Sequence, residues 1–366
     1  MKTVLHYKTN FLNSSETFIH RLISNHKKYT PSALCYKKLQ FADGLPVFEV
    51  PQSGIKKWVN TTAFHLNFSL PFYERTIKEL KPDVVHAHFG YDGYKLLHLC
   101  EKLDVPLVIS FYGSDVSRLP HELFWKNRYR RMANSSARFI AASEYMENQL
   151  INLGFPASKI GIVRFGMDLS KLTFKETNPA SNRWMMAGRL VEKKGFEYAL
   201  RAAKILADEG EEFNITIFGD GPLMPKLKAL KNELKLGKQL RFEGFQPIQS
   251  ILAAHKTHGL FIAPSVTASD GDMEGLPNTI LEAMALGTPV ISTKHAAIPE
   301  VIEHAQTGFL TKERDVNQLA KTLRDILHGR YALDSIRQNG RNTVEKLHNV
   351  QKMVSDVEHI YSQVIL

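Results

Sequence analysis

Trp184-Met185-Met186-Ala187-Gly188-Arg189-Leu190-Val191-Glu192-Lys193-Lys194-Gly195-Phe196 is the stretch that decides how this chain is built. Its first four residues read as a buried strand, and Gly188 opens a charged exit loop. A helix is predicted from Gly195 to Leu206. A strand leading through a short loop into a helix is one step of a parallel α/β sheet. The step repeats downstream, with strands predicted at Phe213–Gly219, Leu240–Glu243, Gly259–Ala263 and Thr288–Thr293.

Upstream the same alternation runs a first time. Thr3–Lys8, 83–89, 106–111 and 137–143 are short apolar runs, suited to strands covered on both faces. Apolar residues at 18, 19, 22 and 23 form a helical stripe, with Asn13 and Glu16 as a capping pair. Residues 164–182 lose periodicity and mark a change of domain and a hinge for closure. The expected fold is α/β with two Rossmann-like, doubly wound domains, 1–166 and 167–349. A final helical pattern, about Val344–Leu366, crosses back to the first domain from about residue 350.

Composition narrows the class. At 366 residues the chain exceeds one hydrophobic core. With 43% hydrophobic and 23% charged residues it is not a disordered chain. Cys35 and Cys100 are too few for a disulfide scaffold and read as buried, reduced thiols. No signal-peptide pattern or apolar run of about 18 residues is present, so a cytoplasmic protein is expected. The net charge of +10 is concentrated in residues 1–170, which carry 22 Lys and Arg against 14 Asp and Glu. That half is expected to suit an anionic surface, either phospholipid at the inner face of a membrane or a lipid-linked pyrophosphate. The basic residues are scattered and form no nucleic-acid module, so nucleic acid is not an expected partner.

The chemistry is concentrated in Asp270–Pro289. Pro277 suits a helix start, while Gly287 and Pro289 end it, so a helix over about 277–286 is predicted. Its first N–H groups form an anion site, and Gly275 permits close backbone approach. Glu274 lies just before the helix and Glu282 inside it. Arg189 and Lys194 are placed to reach a diphosphate, with Lys193 as the alternative to Lys194.

These segments, with Gly219-Asp220-Gly221-Pro222-Leu223, Phe242-Glu243-Gly244-Phe245, Pro299-Glu300-Val301-Ile302 and Thr307-Gly308-Phe309-Leu310, occur in one order. In that order the chain resembles the retaining glycosyltransferases of family 4, which have the GT-B fold, two domains facing across a cleft. It is most similar to enzymes of bacterial exopolysaccharide and lipopolysaccharide assembly. The resemblance implies transfer of a hexose from a nucleotide sugar, UDP by family frequency, to a glycan or lipid-linked acceptor. It implies that Arg189 and Lys194 bind the donor diphosphate, that Glu274 contacts the sugar and that Glu282 holds the ribose. Gly275, Leu276, Pro277 and Asn278 would line the pocket, and Gly244 and Phe245 would hold the base.

On the acceptor side the resemblance implies roles for Asn13, Ser14, Ser15, Tyr112 and Asp115. Many relatives carry His where Tyr112 stands, so either Tyr112 or His88 is the group expected to face substrate. Other GT-B activities, such as epimerase or phosphorylase, and a non-enzymatic basic binding protein are the competing classes. Asp270-Gly271-Asp272 mimics a metal site, but the nearby cations make a metal unnecessary and none is expected. His86 and His88 share a strand face, with no third metal ligand evident nearby. Lys56–Phe68 mixes cations with aromatics and suits either a membrane surface or a core helix.

Overall fold

The computed structural model describes residues 1–11, 16–39, 44–51, 70–177 and 182–365. Asn13, Ser14, Ser15 and Lys56–Phe68 lie outside the described residues. The chain divides into two compact units, Met1–Gly166 with Val350–Leu366, and Met167–Asn349.

The first unit is built on seven parallel strands. They are β1 (Lys2–Tyr7), β3 (Tyr29–Cys35), β5 (Val47–Glu49), β6 (Val84–His88), β7 (Leu107–Phe111), β8 (Arg138–Ala141) and β9 (Ile160–Ile162). Their order is β5-β3-β1-β6-β7-β8-β9. β2 (Asn10–Phe11) and β4 (Lys37–Lys38) form a short parallel pair. Every residue of β6 and β7 is buried, as sheet strands under helices on both faces require. The Cys35 and Cys100 thiols are buried and unbridged.

The final helical pattern is two helices, Leu333–Leu347 and Val350–Val364, not one from Val344. The chain leaves the second unit at the break between them. In the last helix Val350, Met353, Val354, Val357 and Tyr361 recur at helical spacing and pack with Val4, Val84 and Val108 of the first sheet. Each apolar side chain buried this way contributes roughly 1.5–3 kcal/mol. The first helix runs Thr17–Ser24 with Glu16 at its cap, and Asn13 of the expected capping pair lies outside the described residues.

The second unit carries β10 (Arg183–Ala187), β11 (Asn214–Phe218), β12 (Leu240–Gly244), β13 (Leu260–Ala263), β14 (Val290–Thr293) and β15 (Phe309–Thr311). All are parallel, in the order β12-β11-β10-β13-β14-β15. Trp184 of β10 stacks on Phe213 with ring centroids 4.8 Å apart, at the heart of this core. In this sheet the order reverses between β10 and β13. The carboxyl ends at such a reversal leave a crevice where doubly wound folds bind ligands.

Candidate active site

Two glycines shape the crevice of the second unit. Gly195 has φ +65°, and a Cβ there would lie 1.9 Å from the Pro264 carbonyl. Gly219 has φ +139°, and a Cβ there would lie 1.9 Å from the Gly188 carbonyl. Only glycine lets the exits of β10, β11 and β13 crowd together in this way. The crowding folds Glu192–Lys194 into a turn of 3-10 helix beside the loop that follows β13.

Lys194 Nζ then lies 3.0 Å from Glu274 Oε2, and Lys193 Nζ lies 3.5 Å from Glu274 Oε1. Both lysines are engaged, but differently. Lys193 also pairs with Asp272 at 3.0 Å and donates to the Met273 carbonyl. It therefore ties down the loop, while Lys194 sits at the cavity wall. Burial alone would raise the Glu274 pKa. Lys194, Lys193 and, more weakly, Arg189 outweigh that effect and hold it lowered to about 2. Asp270 accepts the Asp272 N–H, so the Asp-x-Asp segment is knit into the same loop.

The helix that follows is Asn278–Ala285, with Pro277 as its cap rather than its first residue. The Ile280 N–H donates to the Pro277 carbonyl at 3.0 Å, and the N–H groups of Asn278 and Thr279 precede the first intrahelical bond. Its far end is held by Arg341, which donates to Ala285 O, and by Arg337, which donates to Gly287 O. The small cavity at its start is lined by Ala187, Lys194, Ala263, Ser265, Pro277 and Thr279, among others. Asn278 Oδ1 and Ser265 Oγ are buried with no hydrogen-bond partner among the described residues. An orphaned polar atom on the cavity wall, Ser265 Oγ, with a second at the start of the adjoining helix, suits a polar ligand's place. Gly275 is partly exposed, whereas Leu276 and Glu282 are buried. Arg189 is exposed at the β10 exit. Gly244 turns with φ +69°, leaving Phe245 74% exposed.

In the first unit Asp115 and His88 are held by contacts within the unit. Asp115 is fully buried, and its carboxylate accepts from the N–H groups of Gly90 (3.0 Å), Tyr112 (3.1 Å) and Gly113 (2.8 Å). It holds the loop after β7 and has no oxygen turned outward to a substrate. Asp115→Ala is expected to lower stability by about 2–4 kcal/mol, because three buried donors lose a charged acceptor. Urea denaturation reads this, and a change under 0.5 kcal/mol would contradict the loop-holding role.

His88 is also turned into the unit. It is fully buried, with Nδ1 2.7 Å from the Tyr112 hydroxyl and Nε2 3.0 Å from His6 Nδ1. The third imidazole that looked absent is His6, which the β1–β6 register places opposite His86. The three rings bring ligand atoms within 4.8 Å of one another. All six ring nitrogens nevertheless have hydrogen-bond partners in the unit.

Comparison with known proteins places the chain. Residues 171–343 match the model for glycosyl transferases group 1, and residues 40–171 match that for glycosyltransferase family 4. The amylovoran biosynthesis glycosyltransferase AmsK of Erwinia amylovora is 36% identical over 69% of this chain. The putative colanic acid biosynthesis glycosyltransferase WcaL of Salmonella typhimurium is 32% identical over 74% of it. The chain belongs to glycosyltransferase family 4. The matches span 63% and 68% of those two relatives' own lengths. HepE of Anabaena, solved with UDP, has a TM-score of 0.79 at 18% identity, covering 99% of this chain and 100% of its own. Sucrose-phosphate synthase of Thermosynechococcus elongatus has a TM-score of 0.77 at 17% identity, with 99% of both chains covered. At these identities the likeness shows the fold, which is GT-B.

In this family 4 glycosyltransferase the structure adds residues that the spacing along the chain did not disclose. The Glu274 N–H donates to His295 Nε2 at 3.1 Å, and His295 Nδ1 lies 2.6 Å from Glu313 Oε1. A ring that accepts at Nε2 and donates at Nδ1 is neutral and has a single tautomer. Glu313 in turn accepts from the Thr267 N–H at 2.8 Å. These groups set the backbone of Glu274. His295 lies 21 residues from Glu274, just past the end of β14, and only strand order brings it under the loop.

Proposed function

We propose that this chain is a retaining glycosyltransferase that moves a hexose from a UDP-sugar to a glycan or lipid-linked acceptor in surface-polysaccharide assembly. The observation that carries the reading is the Lys194–Glu274 pair beside a helix N-terminus and two polar atoms unpartnered among the described residues, at a strand-order reversal. Arg189, Lys194 and the N–H groups at the start of Asn278–Ala285 supply positive charge for a diphosphate leaving group. Glu274 accepts from hydroxyls of the transferred sugar, and Gly275 to Asn278 line the pocket. Glu282 faces the ribose, and Gly244 and Phe245 hold the base.

The donor's own phosphate takes the proton of the acceptor hydroxyl as the glycosidic bond forms on the face the diphosphate leaves. No protein nucleophile is assigned. Because side chains and the helix neutralise the diphosphate, transfer proceeds without a metal. The excess of positive charge in residues 1–170 suits an anionic membrane surface or a lipid-linked acceptor.

Thermal denaturation of the full chain with a panel of nucleoside diphosphates and their sugars tests the donor class. A saturating UDP-hexose is expected to raise the Tm by several degrees, since a ligand at about 100 times its Kd stabilises the native state by about 2.7 kcal/mol. EDTA should leave that shift intact. No shift with any nucleotide would sink the reading.

A further inference from the structure

The loop that delivers Glu274 to the cavity is tied at both ends to one carboxylate on another strand's exit. Glu313 follows β15, and its Oε2 accepts the Thr267 N–H at 2.8 Å. Its Oε1 lies 2.6 Å from His295 Nδ1, and His295 Nε2 accepts the Glu274 N–H at 3.1 Å. The Thr267 hydroxyl adds a longer contact to Oε1, at 3.4 Å. Thr267 and Glu274 bracket the stretch that contains Asp270-Gly271-Asp272.

Between these ends the loop closes on its own unit. The Ala268 N–H donates to the Asp272 carbonyl at 2.9 Å, Ser269 is held by Glu192, and Asp272 by Lys193. The Val266 N–H donates to the Lys193 carbonyl at 2.9 Å, and Ser265, on the cavity wall, immediately precedes it. Arg314 fixes the carboxylate in turn, donating to Glu313 Oε2 at 3.3 Å and to the Thr267 carbonyl.

Both Glu313 oxygens are needed as acceptors at once. One takes a main-chain N–H. The other takes the His295 Nδ1–H, which leaves Nε2 of a neutral ring to accept from Glu274. Burial by itself would raise the Glu313 pKa. The Thr267 N–H, and after it the His295 contact, keep it lowered, so the double acceptor is the form present near neutral pH. A glutamine has the same shape but one acceptor and one donor. Its NH2 group would face the Thr267 N–H, or it would face His295 Nδ1 and turn the ring's proton to Nε2, against the Glu274 N–H. In both arrangements one end of the loop sets a donor against a donor.

We propose that Glu313 is a positioning residue for sugar transfer, whose two oxygens hold Glu274 through His295 and the Ser265 wall of the cavity through Thr267. Neither Glu313 nor His295 is assigned a contact with the donor. Their effect reaches the sugar only through the place at which they hold the Glu274 carboxylate. That effect rests on the glycosyltransferase reading, and the hydrogen-bonded clamp does not.

Steady-state transfer by the full chain, with UDP affinity by calorimetry, tests the role. Glu313→Gln is expected to lower kcat about 10- to 100-fold, the usual cost of misplacing a reacting group by about 1 Å, with the Kd for UDP unchanged. In the Glu274→Gln background the same change should cost less than about threefold more, because the group it positions is already gone. Equal losses in the two backgrounds, or full activity of Glu313→Gln, would overturn the proposal. His295→Gln places an acceptor near the site of Nε2 and should recover part of the activity that His295→Ala loses. Equal loss in those two variants would contradict a relay through the ring. Long-range proton–nitrogen NMR of the wild type with 15N-labelled histidine reads the clamp without any variant. At pH 7.5 His295 should carry its proton on Nδ1 alone, and a proton on Nε2 would overturn the clamp. Absence of any transfer by the wild type would overturn the glycosyltransferase reading and this role with it, with the His295 tautomer still readable.

Discussion

Glu274→Gln is expected to lower kcat about 100- to 1,000-fold, the usual cost of removing one oriented electrostatic contact from a transition state. The variant keeps the volume of the side chain and removes its charge. Lys193 keeps Asp272 as a partner at 3.0 Å, and the Glu274 N–H keeps His295, so the loop retains its anchors. Lys194 loses its 3.0 Å counter-ion. A modest fall in Tm and an unchanged Kd for UDP should therefore accompany the loss of turnover. Turnover within threefold of wild type would remove Glu274 from the reacting centre.

The pH dependence follows from the same pair. Glu274 sits at about 2 in the folded chain, because Lys194 and Lys193 outweigh burial. A carboxyl in an unfolded chain titrates near ~4.3. A lowered folded pKa means that this group's contribution to stability is complete above about pH 4.3, and it is lost as the pH falls toward about 2. Glu274 is thus ionised wherever the enzyme works. A kcat profile with an acid limb near pH 6 that Glu274→Gln abolishes would contradict this assignment.

Arg189→Ala is expected to weaken UDP binding about 10- to 100-fold by calorimetry, since a charge-assisted bond to a phosphate is worth roughly 1.5–3 kcal/mol. Arg189 is the cleaner probe of the diphosphate because it is exposed and has no ion pair among the described residues. Removing Lys194 would also strip the half-buried Glu274 of its nearest cation, so binding and folding would change together. An unaltered affinity in the Arg189 variant would place the diphosphate elsewhere.

The two cases differ in how much of each the linear order could reveal. Lys194 and Glu274 are 80 positions apart, yet each stands in a local pattern that names a chemistry, a cation after a strand and an acid before a short helix. Asp115 and His88 also stand in recognisable patterns, but their side chains turn inward. An acid four residues after a strand suits a ligand or a loop equally well, and here three N–H groups claim it. His6 lies 80 residues before its register partner His86, and His295 serves a loop that precedes it. Neither relation has any trace in local spacing.

Read as a string, the chain was enough to establish parallel α/β architecture, because strands covered on both faces must be continuously apolar and must alternate with amphipathic helices. It also revealed the glycine-rich exits and the short helix near residue 278, whose conformations depend on local backbone sterics. Which imidazole meets which and what holds Glu274 in place were settled by strand order and by one returning helix. Hydrogen bonds and ion pairs act over about 3 Å in space, and a parallel sheet brings residues to that distance without regard to their separation along the chain.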